Sequence, residues 1–327
     1  MKLEKIKKLE LHLHLEGAAS PHLIKKLAAK RNVDISKIFN SEGLYKFTDF
    51  KEFLSVYEIA TTVLQTPEDF YSLTMSALEE CAKNNVIYLE TFVSPKFCGG
   101  NDVVAWKEFL AAICEAADRC EANFGIISRG IVTCIRHLGP DVALETAKCA
   151  VKTSGEWLVG FGMAGDESFG RPKDYASSFQ MAKEAGLKLT SHAGEWCGVQ
   201  SVRDTINDLG VQRIGHGVQS IDDQELVKML VDKGIVLEVC PGSNVFLGVY
   251  PTLSSHPIKR LRDQGVRVTI STDDPPFFRT TMNAEYESLS RTFGWTESDF
   301  LYLNRVALDA AFCDEATKDK LLTSSKL

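Results

Sequence analysis

Four short stretches of the chain hold the residue types that metal binding and acid–base catalysis use most. "LELHLHLEG" sets His12 and His14 one leucine apart, with Glu10 and Glu16 on either side. "SHAGE" follows with His192 and Glu195, "RIGHG" with His216, and "STDD" with Asp273 and Asp274. Neutral imidazoles and carboxylates are the nitrogen and oxygen ligands of divalent ions such as Zn²⁺. The H-x-H pair alone is equally compatible with a bland polar face. Four of the seven histidines collected in such stretches, beside an aspartate, point instead to a metal centre with an acid–base group next to it. The other three, His22, His137 and His256, read as a helix, a loop and a turn position without a role.

Something must bring these stretches together. Leu9, Leu11, Leu13 and Leu15 alternate with Glu10, His12, His14 and Glu16, the period of a β-strand. One face is then expected to be leucine and the other carboxylate and imidazole. Seven further β-rich runs recur along the chain: "NVIYLETFVSP", "FGIISRGIVTCI", "WLVGFGMAG", "GLKLTSHAG", "VQRIGHGV", "GIVLEVCPGSN" and "GVRVTISTDDP". Amphipathic helical segments separate them, several closed by glycine. Eight alternating strand–helix units predict a (β/α)₈ TIM barrel, in which catalytic residues lie at the C-terminal ends of the strands. His12, His14, His192, His216, Asp273 and Asp274 all fall at such ends. In "VRVTISTD" the aliphatic Val266, Val268 and Ile270 oppose Thr269, Ser271 and Asp273, which faces the aspartate inward.

The extra length over a minimal barrel lies after strand one. There "SPHLIKKLAAKRN" predicts a helix with Ser20 as N-cap and Pro21 first, and "FTDFKEFLSVYEIATTVL" a second one. An insertion at the catalytic rim is a candidate lid. "ESDFLYLNRVALDAAFCDEATKDKLL" predicts one or two closing helices, with "TSSKL" as a fraying tail. No linker divides residues 1–327, so one domain is expected.

With 37 basic against 44 acidic residues the net charge is −7, which argues against general nucleic-acid binding. Nine scattered cysteines without a C-x-x-C pair suit a reducing cytoplasm. No apolar run is long enough to span a bilayer, and a small-molecule partner is expected.

The motifs "ELHLHLEGA", "AGDE", "SHAGE", "RIGHGV", "CPGSN" and "STDDPP", in this order through nearly the whole chain, resemble the adenosine deaminase family of the metal-dependent amidohydrolases. The resemblance implies that His12, His14, His192 and Asp273 hold one Zn²⁺ per chain. "WLVGFGMAG" lacks the lysine that bridges two metals in other members of the superfamily. Zinc lowers the pKa of bound water from about 15.7 toward about 7, and in the family the resulting hydroxide attacks C6 of the purine. By the same resemblance Glu195 gives a proton to N1 and His216 orients the water, with Asp273 beside them. Asp274 contacts N7, the Gly165 peptide N–H reaches N3, and His14 and Glu16 also face the substrate. The P-C-x-x-C pattern of the other zinc deaminases is absent, and the one H-x-E that occurs, His14-Leu15-Glu16, has no such partner.

Two positions depart from the family. Glu16 stands where many adenosine deaminases carry an aspartate that contacts the ribose 5′-hydroxyl, and Glu is common there in relatives that act on free adenine. Gly162 replaces a frequent aspartate. "VIYLETFVSP" and "RIGHGV" lean toward the nucleoside enzymes, so the expected reaction is deamination of adenosine, and of deoxyadenosine, to inosine and ammonia. Free adenine or a modified aminopurine is the alternative substrate. A non-catalytic purine-binding protein would be expected to lack a ligand or Glu195, and none is missing.

Overall fold

The computed structural model describes residues 2–325. All eight expected strands form: β1 (Lys8–His14), β2 (Val86–Val93), β3 (Ile127–Ile135), β4 (Leu158–Ala164), β5 (Lys188–Ala193), β6 (Arg213–His216), β7 (Val236–Val239) and β8 (Arg267–Ile270). They pair in parallel in sequence order, with helices between them, as a (β/α)₈ barrel requires. The sheet closes through a bridge between Leu13 and Asp273. There the Asp273 N–H donates to the His12 carbonyl at 3.1 Å and the His14 N–H to the Asp273 carbonyl at 3.0 Å. The seam of the barrel thus joins three of the candidate metal ligands through their own backbones.

One expectation for β1 fails. Its pairing with β2 shifts register between Glu10 and Leu13, so strict alternation does not hold through the strand. Leu9 and Leu11 pack with Tyr88, Ile127 and Cys313 under the barrel. Glu10 instead accepts the N–H and hydroxyl of Thr272 and borders a cleft with Cys81 and Asn84. It does not share a face with His12 and His14. A register break shifts the side-chain phase by one residue, which a period-two pattern cannot reveal.

The insertion after β1 supplies α1 (Pro21–Arg31) and α2 (Phe50–Thr61), followed by α3 (Pro67–Lys83). Ser20 caps α1 by accepting the Leu23 N–H at 3.2 Å, as its position before Pro21 implied. The C-terminal stretch forms two helices, Glu297–Ala310 and Glu315–Ser325, so Thr323 to Ser325 of the tail expected to fray are helical. Its last two residues lie outside the described ones. Between the two helices Phe312 enters the barrel floor, where the Arg213 guanidinium lies 3.5 Å from its ring centroid.

Glu285, on the helix Met282–Phe293, is buried against a glycine that leaves it room. A Cβ at Gly242 would come within 2.1 Å of its Oε1. The Glu285 carboxyl takes the Gly242 N–H at 3.0 Å and pairs with the Thr280 hydroxyl. Burial, only partly offset by these bonds, raises its pKa from 4.5 to about 7. The folded protein therefore holds a proton that the unfolded chain has lost. That stability is full below about pH 4.5 and is lost as pH rises through about 7. Glu285→Gln keeps one donor and one acceptor. It should match the parent near pH 4.5 and exceed it by about 2–3 kcal/mol near pH 8. Urea midpoints at the two pH values check this, and a difference independent of pH would contradict it.

Candidate active site

The C-terminal ends of the strands converge on a cavity of about 580 Å³, mouth included, lined by His14, His192, Glu195, His216, Asp273 and Asp274 among others. His12, His14, His192 and Asp273 bring one ligand atom each within 4.8 Å of one another. The surroundings fix which atoms these are. The His12 Nδ1–H donates to Glu238 at 2.8 Å and the His192 Nδ1–H to the Met163 carbonyl at 2.9 Å. Each ring therefore presents an Nε2 lone pair to the cavity. His12 Nε2 is buried and has no hydrogen-bond partner, while His14 and His192 bring their Nε2 atoms to 3.2 Å. Asp273 Oδ1 lies 3.3 Å from Nε2 of both His12 and His14. Its Oδ2 accepts the Ser243 hydroxyl at 2.7 Å. Converging lone pairs with buried partners behind them are what a cation needs and water would not balance. The residues fit a divalent metal ion.

His216 and Asp273 hold left-handed backbone, with φ of 61° and 68°. That conformation is costly for residues other than glycine and turns both side chains sharply into the cavity. Nε2 of His216 lies 3.8 Å from Glu195 and 3.9 Å from Asp273. Burial lowers the His216 pKa to about 3, against the pull of Asp273, so the ring is neutral. Burial, Asp273 and Glu167 push the Glu195 carboxyl well above the usual carboxylate range, which favours its protonated form. Asp274 is also pushed well up, by burial and then by Asp273, Glu195 and Glu16. Its Oδ1 is buried without a partner. Gly17 makes this placement possible, since a Cβ there would stand 1.6 Å from that oxygen.

Gly165 lines the cavity wall at φ 98°, and a Cβ would press to 2.8 Å on His137. Gly162 faces Ile131, Thr190 and Phe92, each 3.4–3.5 Å from where its Cβ would be. Phe92 in turn packs on His12 and His14, with centroids at 4.6 and 4.9 Å. A Cβ at Gly162 would therefore sit in ordinary contact with Phe92. Glu16 is brought near but not into the cavity: it is absent from the lining, and its carboxyl accepts the Ser94 N–H at 3.0 Å. Over the mouth lies α2, contributing Phe50, Phe53, Leu54, Tyr57 and Glu58. It is fastened by ring contacts of Phe53 with Phe278 and of Phe50 with Trp196, at 5.1 and 5.2 Å.

Several supporting residues escaped the sequence reading. Glu167, within the quoted "AGDE", accepts the backbone N–H groups of Gly194, Glu195, Trp196 and Cys197 and the Ser201 hydroxyl. It sets the loop that carries Glu195. Glu238 links His12 to Arg213, which also pairs with Glu90 at 2.6 Å beneath the site. Of the histidines given no role, His22 is exposed on α1. His137 lines the cavity and bonds Glu58 at 3.1 Å, and His256 lies behind His216.

An eight-stranded parallel barrel with three imidazoles and a carboxylate at its C-terminal mouth defines a metal-dependent hydrolase of the amidohydrolase type. Residues 7–325 match the family model described as adenosine deaminase, and the chain belongs to that family. It is a hydrolytic deaminase. A protein named adenine deaminase from Rhizobium leguminosarum bv. trifolii is 46% identical over 317 residues, spanning 97% of this chain and 98% of that protein. One of the same name from Rhizobium rhizogenes is 48% identical over 319 residues, with 97% and 98% covered. The crystal structure of adenine deaminase from Arthrobacter aurescens superposes with a TM-score of 0.90 at 28% identity, covering 98% of each chain. These names favour adenine over the adenosine expected from the sequence. The segments that leaned toward nucleoside enzymes hold Glu90, Phe92 and His216, all buried in the barrel interior. Among the described residues no helix is long and apolar enough to cross a membrane.

Proposed function

We propose that this chain hydrolyses free adenine to hypoxanthine and ammonia, in the cytoplasm and with one zinc ion per chain. The observation that carries the substrate choice is the engagement of Glu16. Its carboxyl accepts the Ser94 N–H at 3.0 Å and stands outside the cavity lining, turned away from where a ribose would lie. The wall away from Glu195 and Asp274 is largely apolar, with Phe50, Phe53, Leu54, Phe97 and Leu247. Its polar members Glu58 and His137 are bonded to each other. A planar base suits this lining better than a sugar with several hydroxyls, and the names of the full-length relatives support the same reading.

Three imidazole nitrogens and one carboxylate suit zinc, and β4 carries no lysine to bridge a second ion. The ion supplies an acidified water at neutral pH. His216, neutral, orients the attacking water with Asp273 beside it. As oxygen adds to C6, Glu195 gives its proton to N1, so negative charge does not build up on the ring. Asp274, in its protonated form, donates to N7 of the 9H tautomer of adenine, where that nitrogen carries a lone pair. The Gly165 N–H and the His14 edge hold the base in register. The proton that the Asp273 carboxylate takes from the water passes to the amino group, and the C6 hydroxyl proton returns to Glu195. The C6–N bond then breaks, and ammonia leaves as the C6 oxygen becomes the hypoxanthine carbonyl. With α2 fastened over the mouth, these groups act in a site largely closed to bulk water.

Initial rates with adenine, adenosine, deoxyadenosine and 6-methylaminopurine test the reading, with adenine expected to have the highest kcat/KM. Glu16→Asp withdraws the carboxyl by one methylene and should raise the adenosine-to-adenine ratio roughly tenfold, at constant metal content. An unchanged ratio would show that Glu16 does not set the choice.

A further inference from the structure

Behind His216, away from the cavity, lies a chain of buried polar groups that the mechanism above does not use. The His216 Nδ1 is 3.2 Å from Asn244 Nδ2, and Asn244 Oδ1 is 3.1 Å from His256 Nε2. The His256 Nδ1 accepts the Ile258 N–H at 3.2 Å. His216, Asn244 and His256 are each 2% exposed or less. The direction of every bond follows from the last one. A peptide N–H can only donate, so the His256 Nδ1 carries a lone pair and its proton sits on Nε2. That proton faces the Asn244 side chain, which must present its carbonyl oxygen there and turn its NH₂ toward His216. The His216 Nδ1 must then accept, which leaves its proton on Nε2, the nitrogen that faces Glu195 and Asp273.

We propose that Asn244 and His256 are positioning residues that lock His216 in the Nε2–H tautomer, so that it enters catalysis as a hydrogen-bond donor. The surroundings favour a rigid relay. The Asn244 N–H donates to the Cys240 carbonyl at 3.0 Å, and its carbonyl accepts the Tyr250 N–H. The Tyr250 ring packs edge-on to His256, 5.1 Å between centroids. Burial also lowers the His256 pKa to about 3, which keeps this ring neutral. A neutral His216 with a free Nε2 lone pair would accept from the attacking water; one with Nε2–H donates to it or to a carboxylate. The relay removes the first option. In sequence it is the "SN" of "CPGSN" and the histidine of "SHPI", separated by a loop.

The proposal rests on His216 facing the reacting atoms, but its direct test needs no substrate and stands apart from the choice of adenine. Long-range ¹H–¹⁵N correlation of ¹⁵N-histidine-labelled protein, loaded with zinc, reads which ring nitrogen bears the proton. The His216 signals are assigned by their loss in His216→Asn. The expected result is Nε2–H on both His216 and His256. Asn244→Asp, which cannot donate, should move the His216 proton to Nδ1 and lower kcat roughly 10²-fold, with KM within about twofold and zinc content unchanged. His256→Leu should lose most of kcat in the same way. His256→Gln, which can accept from Ile258 and donate to Asn244, should restore at least half of the lost activity on a logarithmic scale. A parent protein with Nδ1–H on His216 would overturn the proposal. So would an Asn244→Asp variant with an unchanged tautomer, or a glutamine at 256 no better than leucine.

Discussion

Glu195→Gln should lower kcat by about 10²–10⁴ while leaving one zinc per chain and adenine binding within a few-fold of the parent. The substitution keeps the size of the side chain and removes its transferable proton. The geometry makes this a clean variant. The loop around residue 195 is held by the Glu167 carboxylate on four backbone N–H groups and by Gln219 on the Glu195 carbonyl at 2.6 Å. None of these bonds uses the Glu195 side chain. A residue that only fixed the loop would tolerate glutamine or would lose stability and metal together. Burial and the Asp273 carboxylate raise the Glu195 pKa and so favour its proton. The missing proton is needed as C6 is attacked and not when adenine binds, so the loss belongs in kcat. Wild-type turnover with full zinc would remove Glu195 from the mechanism.

His12→Ala and Asp273→Ala should each abolish stoichiometric zinc and lower activity by more than about 10³-fold. His12 contributes one of the lone pairs and is backed by Glu238, while Asp273 supplies the carboxylate between two imidazoles. The metal-free parent concentrates four such donors in a buried space, so metal binding should stabilise it strongly. At a free-ion concentration of 100 Kd the linkage is about 2.7 kcal/mol. Added zinc should therefore raise the unfolding temperature of the parent and leave both variants unmoved. Elemental analysis and thermal melts with and without zinc read the two effects separately. A variant that keeps one ion per chain would show that the ligand set is wrong at that position.

Much of this was open to a reader of the sequence because the chemistry and the fold coincide. Parallel barrel strands are buried on both faces and read as short β-branched runs, so all eight could be counted. The cavity-facing groups His192, His216 and Asp273 fall at their ends. What stayed hidden depends on partners distant along the chain. Glu167 acts on a loop 27–34 residues away, and Glu238 on His12 across 226 residues. His256 stands 12 residues from Asn244, and nothing local marks a histidine before proline as part of a relay. The phase of β1 was misread for a related reason. Its register break lies in the pairing with β2, a contact the alternating leucines do not encode. Substrate choice was legible only as the presence of Glu16. That its carboxyl is tied to the Ser94 N–H required the segment just after β2 to be placed beside it.

The most direct test strips the protein with a chelator, restores one equivalent of zinc, and follows purine products and ammonia from adenine and from adenosine in parallel. The expected result is one hypoxanthine and one ammonia per adenine, strictly dependent on the restored zinc, with adenosine slower by at least roughly 10²-fold in kcat/KM. Equal or faster turnover of adenosine would contradict the substrate, and undiminished turnover by the stripped protein would contradict the metal centre.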